Sequence, residues 1–187
     1  MEVVRHPSIL RRDQAMLLVV DVQEKLHAVM THRERVTANL RRLIQGFQVL
    51  ELPILVTEQY PRGLGPTVSE LRELFEVWNP YEKLTFSCCL VPELCGAIQE
   101  SGATQIVLTG IETHVCILQT GLDLIQRGYQ VHVPADAVSS RKELDWQMAL
   151  ERLRKAGAVI TVTESALFEL LVRAGTTEFK QIATLVK

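Results

Sequence analysis

The chain has 187 residues, 47% apolar and 22% charged, with a formal net charge of −2. That length and balance suit one globular domain over 1–187 with a sizeable core. They give no basic footprint for nucleic acid or an anionic membrane, and no apolar run approaches the roughly 20 residues of a spanning helix. The start "MEVVRHPSILRRDQ" lacks a signal-peptide core, so the expected location is the cytoplasm. The four cysteines, Cys88, Cys89, Cys95 and Cys116, form no C-x-x-C pair. Zinc-ribbon and thioredoxin-type readings lose support, and free thiols are expected.

"AMLLVVD" (15–21) is a short, nearly continuous apolar run, the pattern of a strand buried on both faces. In 31–51 the residues Val36, Leu40, Leu43, Ile44, Phe47 and Leu50 recur at helical spacing, and Thr31 with Glu34 fits a capping box. "PILVT" (53–57) reads as a second strand and "EQYPRGLGPTV" (58–68) as a loop. A short helix over 71–77 is broken at Trp78-Asn79-Pro80, and "KLTFS" (83–87) reads as a short strand.

Further along, 92–101 reads as a helix ended by Gly102, and "QIVLTG" (105–110) as another buried strand. A helix over 116–127 ends at Gly128, and "YQVHVPA" (129–135) is a strand. Ser140 and Glu143 form a second capping-box pattern, opening a helix that Gly157 ends. "AVITVT" (158–163) is the last strand, and helix-like segments follow. Strands alternating with helix-length segments predict right-handed crossovers, hence an α/β fold with a mostly parallel sheet.

In such sheets ligands bind beyond the carboxyl ends of the strands. Asp21, Thr57 and the 109–116 turn all fall there. No G-x-G-x-x-G follows the first strand, and no G-x-x-x-x-G-K-[ST] occurs, so dinucleotide and P-loop readings lose their main support. Asp21 suits a turn cap or a general base whose basicity rises on partial desolvation. Cys116, near a helix start, is either a small buried hydrophobe or a nucleophile whose thiolate the helix dipole favours. Lys83 is a solvated charge, or an ammonium that steadies both anions.

"LLVVDVQEKL", "EKLTFS" and "TGIETHVCILQTGLDLIQRGYQVHVPADA" together resemble the isochorismatase-like cysteine hydrolase family, over about 15–169. "LPILVTEQYPRGLGPTVSEL" brings the likeness nearest to its isochorismatase domain-containing proteins. The resemblance implies a three-layer α/β/α fold with a six-stranded, mostly parallel sheet. It matches Asp21, Lys83 and Cys116 to the family's catalytic aspartate, lysine and nucleophilic cysteine. It also implies a cis peptide at Ile111–Glu112, and an oxyanion hole from the backbone N–H groups of Glu112 and Cys116. True isochorismatases have no cysteine there, so Cys116 favours thiol chemistry on a carbonyl or nitrile-like carbon. Nicotinamidases carry metal-binding histidines after the second strand, whereas "TEQYPRGLG" has none, so no metal and no cofactor are expected.

Gln59 and Tyr60 suit either a pocket lining or an ordinary loop, and Phe86 a pocket wall or core packing. His114 touches substrate, caps or packs. Cys88 and Cys89 suit burial better than reactivity. Trp78 and Trp146 pack or sit at a subunit contact. The reading that follows is a cysteine hydrolase of a small amide or related carbonyl compound, acting through a thioester. A non-catalytic binding protein and a thiol redox sensor are the rivals. The partner expected is a small-molecule substrate, with no nucleic acid or membrane. By resemblance the chain forms a homo-oligomer, a dimer or larger.

Overall fold

The computed structural model describes residues 5–187. In chain order its elements are β1 (Ala15–Val20), α1 (Glu24–His27), α2 (Arg33–Val49), β2 (Ile54–Gln59), α3 (Pro61–Leu64), α4 (Ser69–Arg72), β3 (Tyr81–Lys83) and α5 (Pro92–Glu100). Then come β4 (Gln105–Ile111), α6 (Leu118–Gln126), β5 (Gln130–Pro134), β6 (Val138–Ser139), α7 (Glu143–Lys155), β7 (Val159–Thr161), α8 (Thr163–Leu171) and α9 (Thr177–Leu185). The strands form one sheet in the order β3-β2-β1-β4-β5-β7, with β6 paired to β4. All pairings among these strands are parallel. β6 is a strand beyond the six expected. Its two residues pair with Gly110 and Ile111 where β4 outruns β5, and so short a run carries no periodicity to read.

β1 shows why the fold has three layers. Leu17 and Val19 point into a core shared with Leu40, Ile44 and Phe47 of α2, Leu167 of α8 and Ile182 of α9. Met16, Leu18 and Val20 point the other way, into a core with Ile98 of α5, Leu124 of α6 and Leu153 of α7. Alternate residues of a strand face opposite sides, so a central strand covered on both faces must be apolar throughout.

Three local expectations are corrected. Neither capping box forms. Thr31 Oγ1 donates to the Ser140 carbonyl at 2.6 Å, and α2 starts after His32, which takes a left-handed φ of 54°. Ser140 Oγ is bonded to His114 Nδ1 at 2.9 Å, and α7 opens after Lys142 without a side-chain cap. In both cases a partner distant in sequence outcompetes the local cap. The third strand ends at Lys83 instead of starting there, because the chain beyond it curls round the Lys83 ammonium, offering it the carbonyls of Thr85 and Phe86 at 3.2 and 3.3 Å. A straight strand cannot do this. Among the described residues no helix is long and apolar enough to cross a membrane.

Candidate active site

β1 and β4 are neighbours, and the strand order runs outward from them in opposite directions. The chain therefore leaves their carboxyl ends toward different edges, and the crevice of an open α/β sheet lies between them. Asp21 follows β1, and the turn bearing Cys116 follows β4. The backbones approach closely here. A Cβ on Gly110 would sit 2.1 Å from the Val20 carbonyl oxygen, and Gly110 has φ +111°. Glycine is needed on both counts. The Ile111–Glu112 peptide that follows is cis.

Asp21 and Lys83 are each buried, and their side chains are 0% exposed. Lys83 reaches from β3 across β2, about 10 Å at ordinary strand spacing, and its Nζ donates to Asp21 Oδ2 at 2.6 Å. It also donates to Gln59 Oε1 at 2.7 Å. Thr57 Oγ1 donates to Asp21 Oδ1 at 2.8 Å, and the Asp21 N–H to the Thr57 carbonyl at 3.1 Å. Both charges thus have hydrogen-bonded partners, which buried ions require. Burial opposes the Lys83 charge, but the negative charges around it, Asp21 first, outweigh this and raise its pKa.

Cys116 lies inside a single π turn, Thr113–Ile117, that leads into α6. The Glu112 carbonyl accepts from the Val115 and Ile117 N–H groups at 3.1 and 3.2 Å. The sequence places Cys116 at the first residue of a helix; the structure places it in the turn ahead of that helix, a distortion frequent at functional sites. Its thiol is 5% exposed and interacts with the Asp21 carboxylate. Burial and the Asp21 charge push the thiol well above the ordinary range, against the pull of Lys83. The protonated thiol is thus favoured, against the pull of the helix dipole. Desolvation and a neighbouring anion outweigh a dipole worth about half a charge.

The remaining expected residues fall in different places. Gln59 is buried, with its amide committed to Lys83 and to the Leu84 carbonyl at 2.9 Å, so it braces the lysine. Tyr60 is half-exposed and lines a cavity of about 320 Å³ with Arg62, Glu82 and Leu84, beside Lys83. Phe86 is 53% exposed, outside the core. His114 is held by Ser140 and lies 3.9 Å from Asp145. Among the described residues no His114–Cys116 hydrogen bond forms. Glu112 pairs with Arg141 at 2.9 Å. Trp78 packs edge-on against Phe75, and Trp146 lies under Arg35.

Sequence reasoning missed two supporting residues, Gln23 and Arg141; it places Thr57 at the strand end and expects Cys88 to be buried, and both also support the site. Gln23 donates to the carbonyls of Gln59 and Gly65 and accepts the Gln59 N–H at 2.7 Å, tying the loop after β1 to the loop after β2. Thr57 fixes the aspartate. Cys88 is fully buried behind the site, where burial pushes its thiol up to about 11 against the pull of Lys83. Arg141 neutralises Glu112. Thr57 carried a readable signal, a polar residue ending an apolar strand, as with Asp21. No group of three or more His, Cys, Asp or Glu among the described residues is placed to hold a metal ion.

The parallel sheet, with carboxylate, ammonium and thiol gathered at its carboxyl edge, defines an α/β hydrolase fold of the isochorismatase-like class. The Isochorismatase domain model matches residues 15–165, and the chain belongs to that family. Isochorismatase domain-containing protein 1 of Danio rerio is 43% identical over 168 residues, 89% of this chain but 59% of that protein's length. Isochorismatase domain-containing protein 2 of Xenopus laevis is 38% identical over 187 residues, all of this chain and 90% of that protein. The solved structure of MAR1 ribonuclease from Caenorhabditis elegans aligns with a TM-score of 0.89 at 36% identity, over 95% of this chain and 91% of that one.

Proposed function

We propose that the chain is a cysteine-dependent hydrolase of a small amide or related carbonyl compound, with Cys116 as nucleophile, Asp21 as base and Lys83 as the cation paired with Asp21. The observation that carries this reading is the buried Lys83–Asp21 pair, 2.6 Å apart, with the Cys116 thiol beside it. A raised thiol pKa fits proton transfer during attack, since Asp21 removes the proton only as the sulfur bonds to carbon. Cys116 Sγ adds to the carbonyl carbon, and the oxygen anion is held by the N–H groups of Glu112 and Cys116. The intermediate collapses, the C–N bond breaks, and Asp21 returns its proton to the leaving amine. Asp21 then takes a proton from water, which attacks the thioester, and returns that proton to the departing Cys116 sulfur, releasing the acid and restoring the thiol. Nucleophile and base both come from the chain, so the steps require no cofactor. Tyr60, Phe86 and His114 border the entrance in this reading. The exposed apolar side chains Leu84, Phe86 and Leu90 are candidates for a contact that assembles a homo-oligomer.

A second reading, favoured by the likeness to the C. elegans ribonuclease, is action on RNA. One experiment covers both. Amine release from a panel of small amides, and cleavage of a labelled single-stranded RNA, are followed with wild type and Cys116→Ala. Amide turnover lost in the variant supports the proposal. RNA cleavage without amide turnover, or amide turnover that survives in the variant, overturns it.

A further inference from the structure

The site uses Cys116 and is backed by Cys88. The other two cysteines form a separate arrangement with Arg127 outside it. Cys89 lies in the 3-10 turn Cys88–Leu90 and Cys95 in the first turns of α5. Arg127, which ends α6, reaches back across them. Its Nη2 donates to the Cys89 carbonyl at 2.7 Å, and its Nη1 to Cys95 Sγ at 3.6 Å. Cys95 Sγ lies 3.3 Å from the same carbonyl. These groups border a cavity of about 260 Å³ whose wall includes the apolar Ile98 and Leu124 and the ring of Tyr129.

The four thiols differ sharply in access. Cys88 and Cys116 are buried at 0% and 5% exposure and Cys89 at 3%, whereas Cys95 is only partly buried and opens on the cavity. Burial pushes the Cys89 thiol up to about 12, and its sulfur points to the Thr120 carbonyl, 4.0 Å away. Cys89 is therefore a poor partner for a disulfide with Cys95. Arg127 uses two of its five N–H donors on the pair, leaving three for a ligand. The nearby Asp123 carboxylate accepts from Ser87 Oγ at 2.6 Å and keeps its charge. The net offer is a reachable sulfur, an apolar wall and a cation with spare donors.

We infer that Cys95 is a modification site for small disulfides that carry carboxylates. Arg127 draws the anionic reagent into the cavity and pairs with its carboxylate. The Cys95 sulfur, as thiolate, attacks one sulfur of the reagent. A Cys95–S bond forms, the reagent's S–S bond breaks, and the departing thiolate takes up the proton that Cys95 lost. The reagent supplies the oxidising equivalent. Because the Cys89 sulfur is buried against the Thr120 carbonyl, the mixed disulfide persists.

The test uses the whole chain with dithiodiglycolate, which is anionic, and cystamine, which is cationic. Adducts are located by peptide mass mapping, and rates are taken from intact mass. Wild type should form one lasting adduct at Cys95, and Cys95→Ser none. Arg127→Gln should slow dithiodiglycolate about tenfold relative to cystamine, the scale expected for one surface charge at contact distance, and raised salt should narrow the gap in wild type. Taking the ratio of the two reagents removes changes in general reactivity. Mapping the wild type alone decides the location if Cys95→Ser fails to fold. A first adduct at Cys116, Cys88 or Cys89, a Cys89–Cys95 disulfide, or a reagent ratio unchanged in Arg127→Gln overturns the inference.

Discussion

Replacing Asp21 with asparagine keeps the size of the side chain and removes the charge opposite Lys83. The ammonium then retains Gln59, Thr85 and Phe86 as acceptors but loses the carboxylate at 2.6 Å. Breaking a buried ion pair by removing one partner costs about 3–5 kcal/mol, because the other charge stays buried and uncompensated. Urea unfolding at pH 7 should show that loss for Asp21→Asn. The pH dependence follows from linkage. Lys83 has a folded pKa raised above 10.5, so its stabilisation is complete below that pH and is lost as pH rises through the folded value. In the variant burial dominates, and the unpaired lysine sheds its proton at lower pH. The deficit should therefore narrow as the pH is raised toward 10.5. Asp21→Asn combined with Lys83→Met should cost about 2 kcal/mol less than the sum of the single variants, since both remove one interaction. A single-variant loss below about 1 kcal/mol, set against that buried-pair expectation, or strictly additive losses, would refute the reasoning.

Other consequences can be measured on the same footing. His132 is fully buried with neither ring nitrogen partnered among the described residues, and burial lowers its pKa from 6.5 to about 4. Its neutral form stabilises the fold fully above 6.5, and that contribution is lost as pH falls toward 4. The loss amounts to about 3 kcal/mol, so His132→Leu should resist acid unfolding better than wild type in that window. An unchanged acid midpoint counts against it. Gly110→Ala should cost about 3 kcal/mol or more in urea unfolding, because the added methyl collides with backbone; a loss within about 0.5 kcal/mol would contradict the packing described. Thr57→Val removes a hydrogen bond to a buried charge and should cost about 1.5–3 kcal/mol, with catalysis impaired; a neutral result in both assays would remove Thr57 from the site.

The fold was largely legible because burial on both faces writes itself into β1 as an unbroken apolar run and into β4 as Ile106, Val107 and Leu108. The short strands were not. Tyr81–Lys83 holds a glutamate and a lysine in its three residues, and Val138–Ser139 is too short to show any period. The capping boxes at Thr31 and Ser140 failed for a related reason. Their hydroxyls bond to groups 109 and 26 residues away, and local pattern cannot see such competitors. Asp21 and Cys116 were legible from their places at the ends of buried strands, and the family likeness added Lys83. The state of the thiol was not legible, because it depends on desolvation and on how close Asp21 comes. Gln23 and Arg141 act through bonds between separate segments, which exist only once the sheet has formed.

The central claim, that Cys116 forms a thioester with Asp21 as its base, is tested most directly by trapping the intermediate. A rapidly acylating ester such as p-nitrophenyl acetate is mixed with the protein, quenched in acid and analysed by peptide mass. The account predicts an acetyl group on the peptide bearing Cys116 in wild type, strongly reduced in Asp21→Asn and absent at that site in Cys116→Ala. No acetylated Cys116 in wild type, or equal acetylation of Cys116 in Asp21→Asn, would contradict it.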